Sequence, residues 1–544
     1  MQTTNSPIIV LFMQKIFNKF FTQQYQYQVG FVILLVILIL AKWEALFLPF
    51  FWDEAWSYMP AIETMSNASP CLTPNCIDSE LYRGHPLFFY FLVSSWAKWV
   101  GKSNYLYHLF ALILSIASLT SYYRIALKLF SPPIALASCV LLCCQEIFLV
   151  QSSFVLPEVL IMGLTICMYS SFISKKRWLY FLWGTLLCLT KESGIIVTFC
   201  FILFAVISLI PFKKFKSLIP IWWVITPLFS IVLFLIYQKI VLGWYFFPLH
   251  MNMIESSFET TFQKIKLILK FIFFEQGRQF LSFAISFLMV FTLSRKTITK
   301  SKWLTLGSVW CLFMIELVAY FYFKNQHFYS CLSFLLLTAF FIKQSRIEKL
   351  KKQLLIFTVI IFVFYTIFAA ANFFMLRYLL VLFPFIILLF ITIVLETPIF
   401  LNVYFPTILL ISFCLNFFII FKKDFTKVWV DDVHLNYLNM VQLHQETVRY
   451  CENNDWYDCN IYTHFLMGFN LKLPFLNYLK SRKIFRFVHV QGDAFQGGDI
   501  IIFSSIEYNE DLHEKIKDSN IYYLNKRFEK GNAWCEVYVK NSCF

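Results

Sequence analysis

Apolar residues dominate this chain in long runs separated by short polar connectors. A run of roughly 20 apolar residues crosses the hydrocarbon core of a bilayer, and somewhat fewer suffice where neighbouring helices bury part of the segment. On that measure the pattern predicts membrane helices at 29–49, 105–129, 132–150, 156–174, 178–190, 193–210, 218–240, 279–294, 303–323, 327–343, 353–371, 377–395 and 402–421. That makes thirteen spans. The expected fold class is therefore a polytopic all-α membrane protein.

Beyond the last run the pattern changes. Residues 437–451 place apolar side chains at helical spacing, whereas Asp458 to Tyr462, Lys483 to Val490 and Asp499 to Phe503 read as short strands. About 120 residues can bury a modest core, so 422–544 is expected to form a small C-terminal α/β domain. The division that follows is a polar N-terminal segment 1–28, a membrane core 29–421 with a first outer loop at 50–104, and the C-terminal domain. The N-terminal segment is too polar for a secretory signal, and the apolar run behind it exceeds the length of a signal-peptide core. It reads as a retained anchor.

Composition agrees with a membrane class. The chain is 59% hydrophobic and only 14% charged, where a soluble domain carries about 25% charge. Its net charge of +15 lies in short connectors: Lys15 and Lys19, Arg124 and Lys128, Lys175 to Arg177, Lys213 to Lys216, Arg295 to Lys302, and Lys343 to Lys352. Such clusters mark the inner face. All six share one side if 87–100 is a helix lying along the outer surface, which puts the N-terminus inside and 50–104 and 422–544 outside. The expected location is a membrane crossed many times, with the C-terminal domain extracytoplasmic. Basic charge of this kind implies no nucleic acid. Six cysteines, Cys71, Cys76, Cys451, Cys459, Cys535 and Cys543, fall in outer segments where disulfides are permitted, but their pairing is not readable from spacing.

Ionisable residues recur at helix ends on that same outer side: Asp53, Glu54, Arg83, His85, Glu158, Lys191, Glu192, Glu275, Arg278, Lys324, His327 and Arg377. Charges at one depth, drawn from distant segments, suit a cleft for an anionic membrane-tethered substrate beside acidic catalysts. Each also has a plain structural reading. Glu158 follows Pro157 at a helix start, where an acid stabilises the first turn by roughly 0.3–1 kcal/mol. Lys191 and Glu192 can form a local pair, and Glu54 can cap the helix that begins near Ala55. No phosphate-binding P-loop, dinucleotide-binding glycine pattern or zinc-protease motif is present in the sequence.

In order, the chain carries Phe51-Trp52-Asp53-Glu54-Ala55-Trp56-Ser57-Tyr58, Gly84-His85-Pro86-Leu87-Phe88-Phe89-Tyr90, Gly101-Lys102, Leu156-Pro157-Glu158, Thr190-Lys191-Glu192-Ser193-Gly194 and Arg377-Tyr378-Leu379-Leu380 with Pro384. This series resembles the polyprenyl-phosphate-dependent glycosyltransferases of the C superfamily (GT-C), in particular the bacterial relatives of protein O-mannosyltransferases and of the aminoarabinose transferases that modify lipid A. The resemblance spans 29–395, the membrane core. A single proline, Pro86, follows His85 where relatives often have two.

The resemblance implies a sugar donor on a polyprenyl phosphate and a hydroxyl-bearing acceptor, which is a lipid, a glycan or a protein. Asp53, Glu54 and Glu158 become the candidate catalytic carboxylates. Arg83, His85, Lys191 and Arg377 become the candidate ligands of the donor phosphate, and Pro86, Glu192 and Tyr378 supporting residues. One in-line displacement inverts the anomeric centre. No cofactor is expected, and a divalent metal is left open. The competing class is a polytopic transporter or flippase of a lipid-linked or anionic substrate. That class favours charges near the midplane, broken helices and internal repeats.

Overall fold

The computed structural model describes residues 23–209, 222–296, 303–322, 328–344, 347–396, 432–481, 483–490, 497–506 and 508–541. Its first helix, Gln23–Lys42, exposes Val32, Ile33, Val36, Ile37 and Leu40 while burying Phe31 and Leu38. An aliphatic face turned outward fits hydrocarbon, and this is a polytopic membrane protein.

Thirteen spans are not what forms. Among the described residues, five helices are long and apolar enough to cross a membrane: Tyr25–Lys42, Asn104–Leu129, Trp222–Leu242, Lys349–Ala371 and Leu376–Leu395. The number rises to six if Phe258–Phe274 and Arg278–Ser294, bent by 79° at their junction, count as one span. The reason is length. A helix rises about 1.5 Å per residue, so a 12-residue helix covers about 18 Å of a core about 30 Å thick. Pro132–Cys143, Glu158–Ile173, Ser193–Ser208, Gly307–Val318 and Phe328–Lys343 are apolar but only 10–17 residues long. The expected span 132–150 breaks at Cys144 and Gln145 into Pro132–Cys143 and Glu146–Gln151. The segment 178–190 yields only Arg177–Cys188, and 402–421 lies outside the described residues. Residues 87–100 form a 13-residue helix, Phe88–Val100. Phe258–Phe274, interrupted by Glu259, Lys264, Lys266 and Lys270, was not among the expected helices.

The helices pack closely at small residues. Asn104–Leu129 crosses Glu158–Ile173 at Gly163, where an added Cβ would meet Ser118 Oγ at 2.2 Å and Ser118 Cβ at 3.0 Å. The same crossing lets Ser118 Oγ donate to the Val159 carbonyl at 3.3 Å.

The C-terminal region is β-rich. Strands β1 (Asn460–Thr463), β2 (Phe487–Val490), β3 (Ile500–Ser504), β4 (Tyr522–Lys530) and β5 (Ala533–Lys540) make one sheet in the order β2-β1-β3-β5-β4. β1 runs parallel to β2 and β3, while β3–β5 and β4–β5 are antiparallel. β3 is buried along its whole length, as its Ile500-Ile501-Ile502-Phe503 run requires of a central strand. The hairpin β4–β5 turns at Gly531, whose φ of 62° suits glycine. Helix Tyr437–Asn453 packs on the sheet. In the first loop Cys71 and Cys76 form a disulfide; no other forms among the described residues, and Cys543 lies outside them.

This region docks on the loop that follows the first helix. Phe50 N donates to the Leu476 carbonyl at 3.3 Å, Tyr437 meets Phe51 and Phe154, and Trp56 meets Phe465 edge-on. Gln151 Nε2 donates to the Asp432 carbonyl at 2.7 Å, and Leu435 N donates to Glu146 Oε1 at 2.6 Å.

Gly163→Ala should force the two crossing helices apart at a cost of about 1–3 kcal/mol. Thermal unfolding of the purified chain checks it. Ser118→Ala in the same chain should recover part of the loss, because the hydroxyl is the nearest obstacle.

Candidate active site

Asp53 and Glu54 leave the first helix through a backbone that few residues adopt. Trp52 has φ 53°, the left-handed region that costs a non-glycine residue about 1–2 kcal/mol. Burial of Phe50, Phe51 and Trp52 holds it there. The chain then opens into a single wide π-type turn, Glu54–Tyr58, a geometry frequent at functional sites. The two neighbouring carboxylates part company at this turn.

Glu54 turns inward. Its oxygens accept from Phe51 N at 3.2 Å and Val155 N at 2.5 Å, and His108 Nε2 lies 3.5 Å away. Its side chain is 2% exposed. Glu54 ties the first loop to the segment before Glu158.

Asp53 turns toward Arg377. The Arg377 guanidinium donates through Nη2 to Asp53 and through Nη1 to Asp432, and its Nε lies 3.5 Å from Glu158 Oε1. Glu158 Oε1 also accepts from Lys191 Nζ at 2.9 Å. Lys191 lies 4.0 Å over the Tyr378 ring, and the Arg377 guanidinium lies 5.1 Å from it. Burial alone would lower the Lys191 ammonium, but Glu158 and then Tyr378 outweigh it and hold it above its ordinary range. Three carboxylates against two cations leave this group one negative charge in excess. Buried charges survive only when partnered in this way.

Exposure separates the acids. The side chain of Asp53 is 16% exposed, against 3% for Glu158 and 1% for Asp432. Asp53 is the open member.

A second group adjoins the first through Trp56. Its indole Nε1 donates to Asp53 Oδ1 at 2.8 Å, and the Arg83 guanidinium stacks 3.7 Å above its ring. Arg83 is half-buried. It and Gly84 both have positive φ, 54° and 68°. A Cβ on Gly84 would stand 2.8 Å from Trp244, so glycine alone fits this turn. The turn delivers His85 to Glu192, with Nδ1 at 2.8 and 3.0 Å from its two oxygens. Pro86 follows, and Phe88 N donates to the Leu189 carbonyl at 2.9 Å, which pins this turn to the Lys191-Glu192 turn. The His250 ring lies 5.0 Å from that of His85, tilted by 36°. Burial, then the neighbouring His85, push His250 down to about 4.

The structure thus brings Asp53, Glu158, Lys191, Arg377 and Tyr378 into one group and His85, Glu192 and Arg83 into its neighbour. It does not bring in Glu275 or Arg278. Glu275 pairs with Lys270 at 3.6 Å. Arg278 is buried against the Phe271 and Ile272 carbonyls, Gln145 and Gln276, where it holds the bend after Phe274. Lys324 and His327 lie outside the described residues. Asp432, Trp56 and His250 were not among the expected site residues. Asp432 stands beside Asp431 in the short segment that follows the last apolar run, a signal available in the sequence. Among the described residues, no three His, Cys, Asp or Glu side chains converge as a metal site.

No protein-family model matches the chain, and no curated protein matches it. Solved structures do. ArnT from Cupriavidus metallidurans bound to undecaprenyl phosphate superposes at a TM-score of 0.50 and 11% identity, covering 93% of this chain and 98% of that one. The apo state of the same protein gives a TM-score of 0.47 at 11% identity, with 94% and 98% covered. The chain shares the overall fold of ArnT.

Glu54→Gln should destabilise the fold. One amide oxygen cannot replace two carboxylate oxygens for Phe51 N and Val155 N, and a buried donor left unpaired costs about 1–3 kcal/mol. A lower melting temperature, with turnover per folded molecule retained, is the expected result. Loss of turnover at unchanged stability would instead make Glu54 catalytic.

Proposed function

We propose that this protein transfers a sugar from a polyprenyl-phosphate donor to a hydroxyl-bearing acceptor at the outer face of a bacterial inner membrane. The observation that carries the reading is one partly open carboxylate, Asp53, held by a buried guanidinium and an indole beside a half-buried Arg83. The shared fold with ArnT, a protein crystallised with undecaprenyl phosphate, supports the lipid class of the donor.

The chemistry asks for two things: a carboxylate to orient and deprotonate the acceptor hydroxyl, and cations facing the phosphate that leaves. Asp53 takes the first role. Trp56 holds one of its oxygens and Arg377 the other, so the carboxylate is fixed before an acceptor arrives. It accepts the acceptor's proton as the new glycosidic bond forms and the phosphate leaves. Arg83 and His85 take the second role, because both are partly exposed on one turn and Arg83 stacks on Trp56, which holds Asp53. Lys191 and Arg377 are enclosed by carboxylates and act on the phosphate only through the field of the group. Glu158 completes the ionic partners of both.

One displacement at the anomeric carbon inverts it. Retention needs a second carboxylate within reach of the sugar. Glu54 is bound by backbone amides and Glu158 is closed off, so among the described residues near Asp53 neither is placed for that step. The acceptor is a lipid, a glycan or a protein.

Asp53→Asn keeps size and removes charge. It should fold and still bind undecaprenyl phosphate, while transfer falls at least about 100-fold, the lower end for a lost general base. Donor binding and turnover are measured separately on the purified chain. Near-normal turnover would remove Asp53 as the base. Arg83→Gln should weaken undecaprenyl phosphate binding about 10-fold, the scale of one lost charged hydrogen bond.

A further inference from the structure

The membrane core does not complete the pairing of Arg377 by itself. Its Nη1 is bound by Asp432, which arrives 55 positions later, beyond the apolar helix Phe383–Leu395 and on the segment that leads into the β-rich region. That segment is held independently at two points, by Gln151 on the Asp432 carbonyl and by Glu146 on Leu435 N. Glu146 is in turn held by Gln276 Nε2 at 2.5 Å. Asp432 is therefore placed by docking rather than drawn in by the guanidinium alone.

A guanidinium has a rigid planar fork with two faces for carboxylates. With Asp432 on one nitrogen and Asp53 on another, the position of one acid decides where the other is met. We propose that Asp432 is a positioning residue for the transfer reaction: docking of the C-terminal region orients Arg377, which sets the geometry of Asp53. This rests on the sugar-transfer reading for its effect on rate, but not for the contact itself.

The groups facing this fork are Asp53, Glu158 and Asp432, with Lys191, Tyr378 and Tyr58 beside them and Arg83 across Trp56. Removing the Asp432 charge leaves Arg377 to Asp53 and Glu158. The guanidinium then pulls harder on Asp53, holding its carboxylate away from an acceptor proton. Arg83 and His85 do not change partners, so donor binding is spared.

Two readouts test this. The first needs no activity. Trp56 Nε1 donates to Asp53 Oδ1, so the indole N–H resonance of Trp56, assigned with Trp56→Phe, reports where Asp53 sits. In the full chain it should shift in Asp432→Asn and return toward its original position in Asp432→Glu. The second is kinetic. Asp432→Asn should lower kcat at least about 10-fold, from the general-base range, with KM for the polyprenyl-phosphate sugar within about threefold. On an Asp53→Asn background it should cause no further loss, because residues acting as one unit are not additive.

An unmoved Trp56 resonance in a folded Asp432→Asn chain overturns the proposal, as does a loss that multiplies on the Asp53→Asn background. If Asp432→Asn does not fold, Gln151→Ala frees the Asp432 backbone while keeping its charge, and an unmoved resonance there overturns the proposal equally. A wild-type chain that transfers no sugar from any polyprenyl phosphate would sink the functional reading. The resonance would still decide the contact.

Discussion

A guanidinium buried to 1% exposure governs the arrangement of this protein. Removing an arginine charge from water costs several kcal/mol unless carboxylates and hydrogen bonds replace the lost hydration. Arg377 meets that demand with Asp53, Glu158 and Asp432, which come from the first loop, the start of a short apolar helix and the segment leading into the β-rich region. Lys191 then neutralises part of the excess on Glu158. Every segment that contributes an acid is fixed in place by the same requirement. The fold around the site can be read as the set of backbone paths that bring those acids to one cation.

The separation of Asp53 from Glu54 shows how fine that placement is. Adjacent in sequence, they serve different ends because a left-handed Trp52 and a wide turn point them apart. One becomes the open acid on Arg377. The other is held by two backbone amides and lies beside His108. Their chemical identity could not distinguish them; only the local backbone does.

Much of the candidate site was legible in the chain. Asp53, Glu158, Lys191 and Arg377 were marked by charge at helix ends, and they converge because unpaired charge is intolerable at that depth. The number of spans was not legible. Counting apolar residues assumes an unbroken helix, and Cys144-Gln145 in 132–150 and the bend after Phe274 break that assumption. Helix Phe258–Phe274 escaped for the opposite reason, since its lysines interrupt the apolar run while leaving one face to pack. Asp432 escaped because its partner is 55 positions away, although the adjacent acidic pair Asp431-Asp432 marks the spot. The inward role of Glu54 depends on Val155 N, a backbone group 101 positions distant. Long-range backbone acceptance leaves no trace in composition.

Because Arg377 follows Asp53 by 324 positions, the order of synthesis matters. A chain emerges from its N-terminus, and earlier segments assemble before later ones exist. Asp53 and Glu158 enter the membrane without the cation that later satisfies them. Lys191 arrives next and can neutralise Glu158, leaving Asp53 to be kept hydrated until Arg377 is made. Asp432 comes last. A chain cut short before it would leave Arg377 Nη1 without its carboxylate, so the last acid to be made closes the guanidinium's coordination.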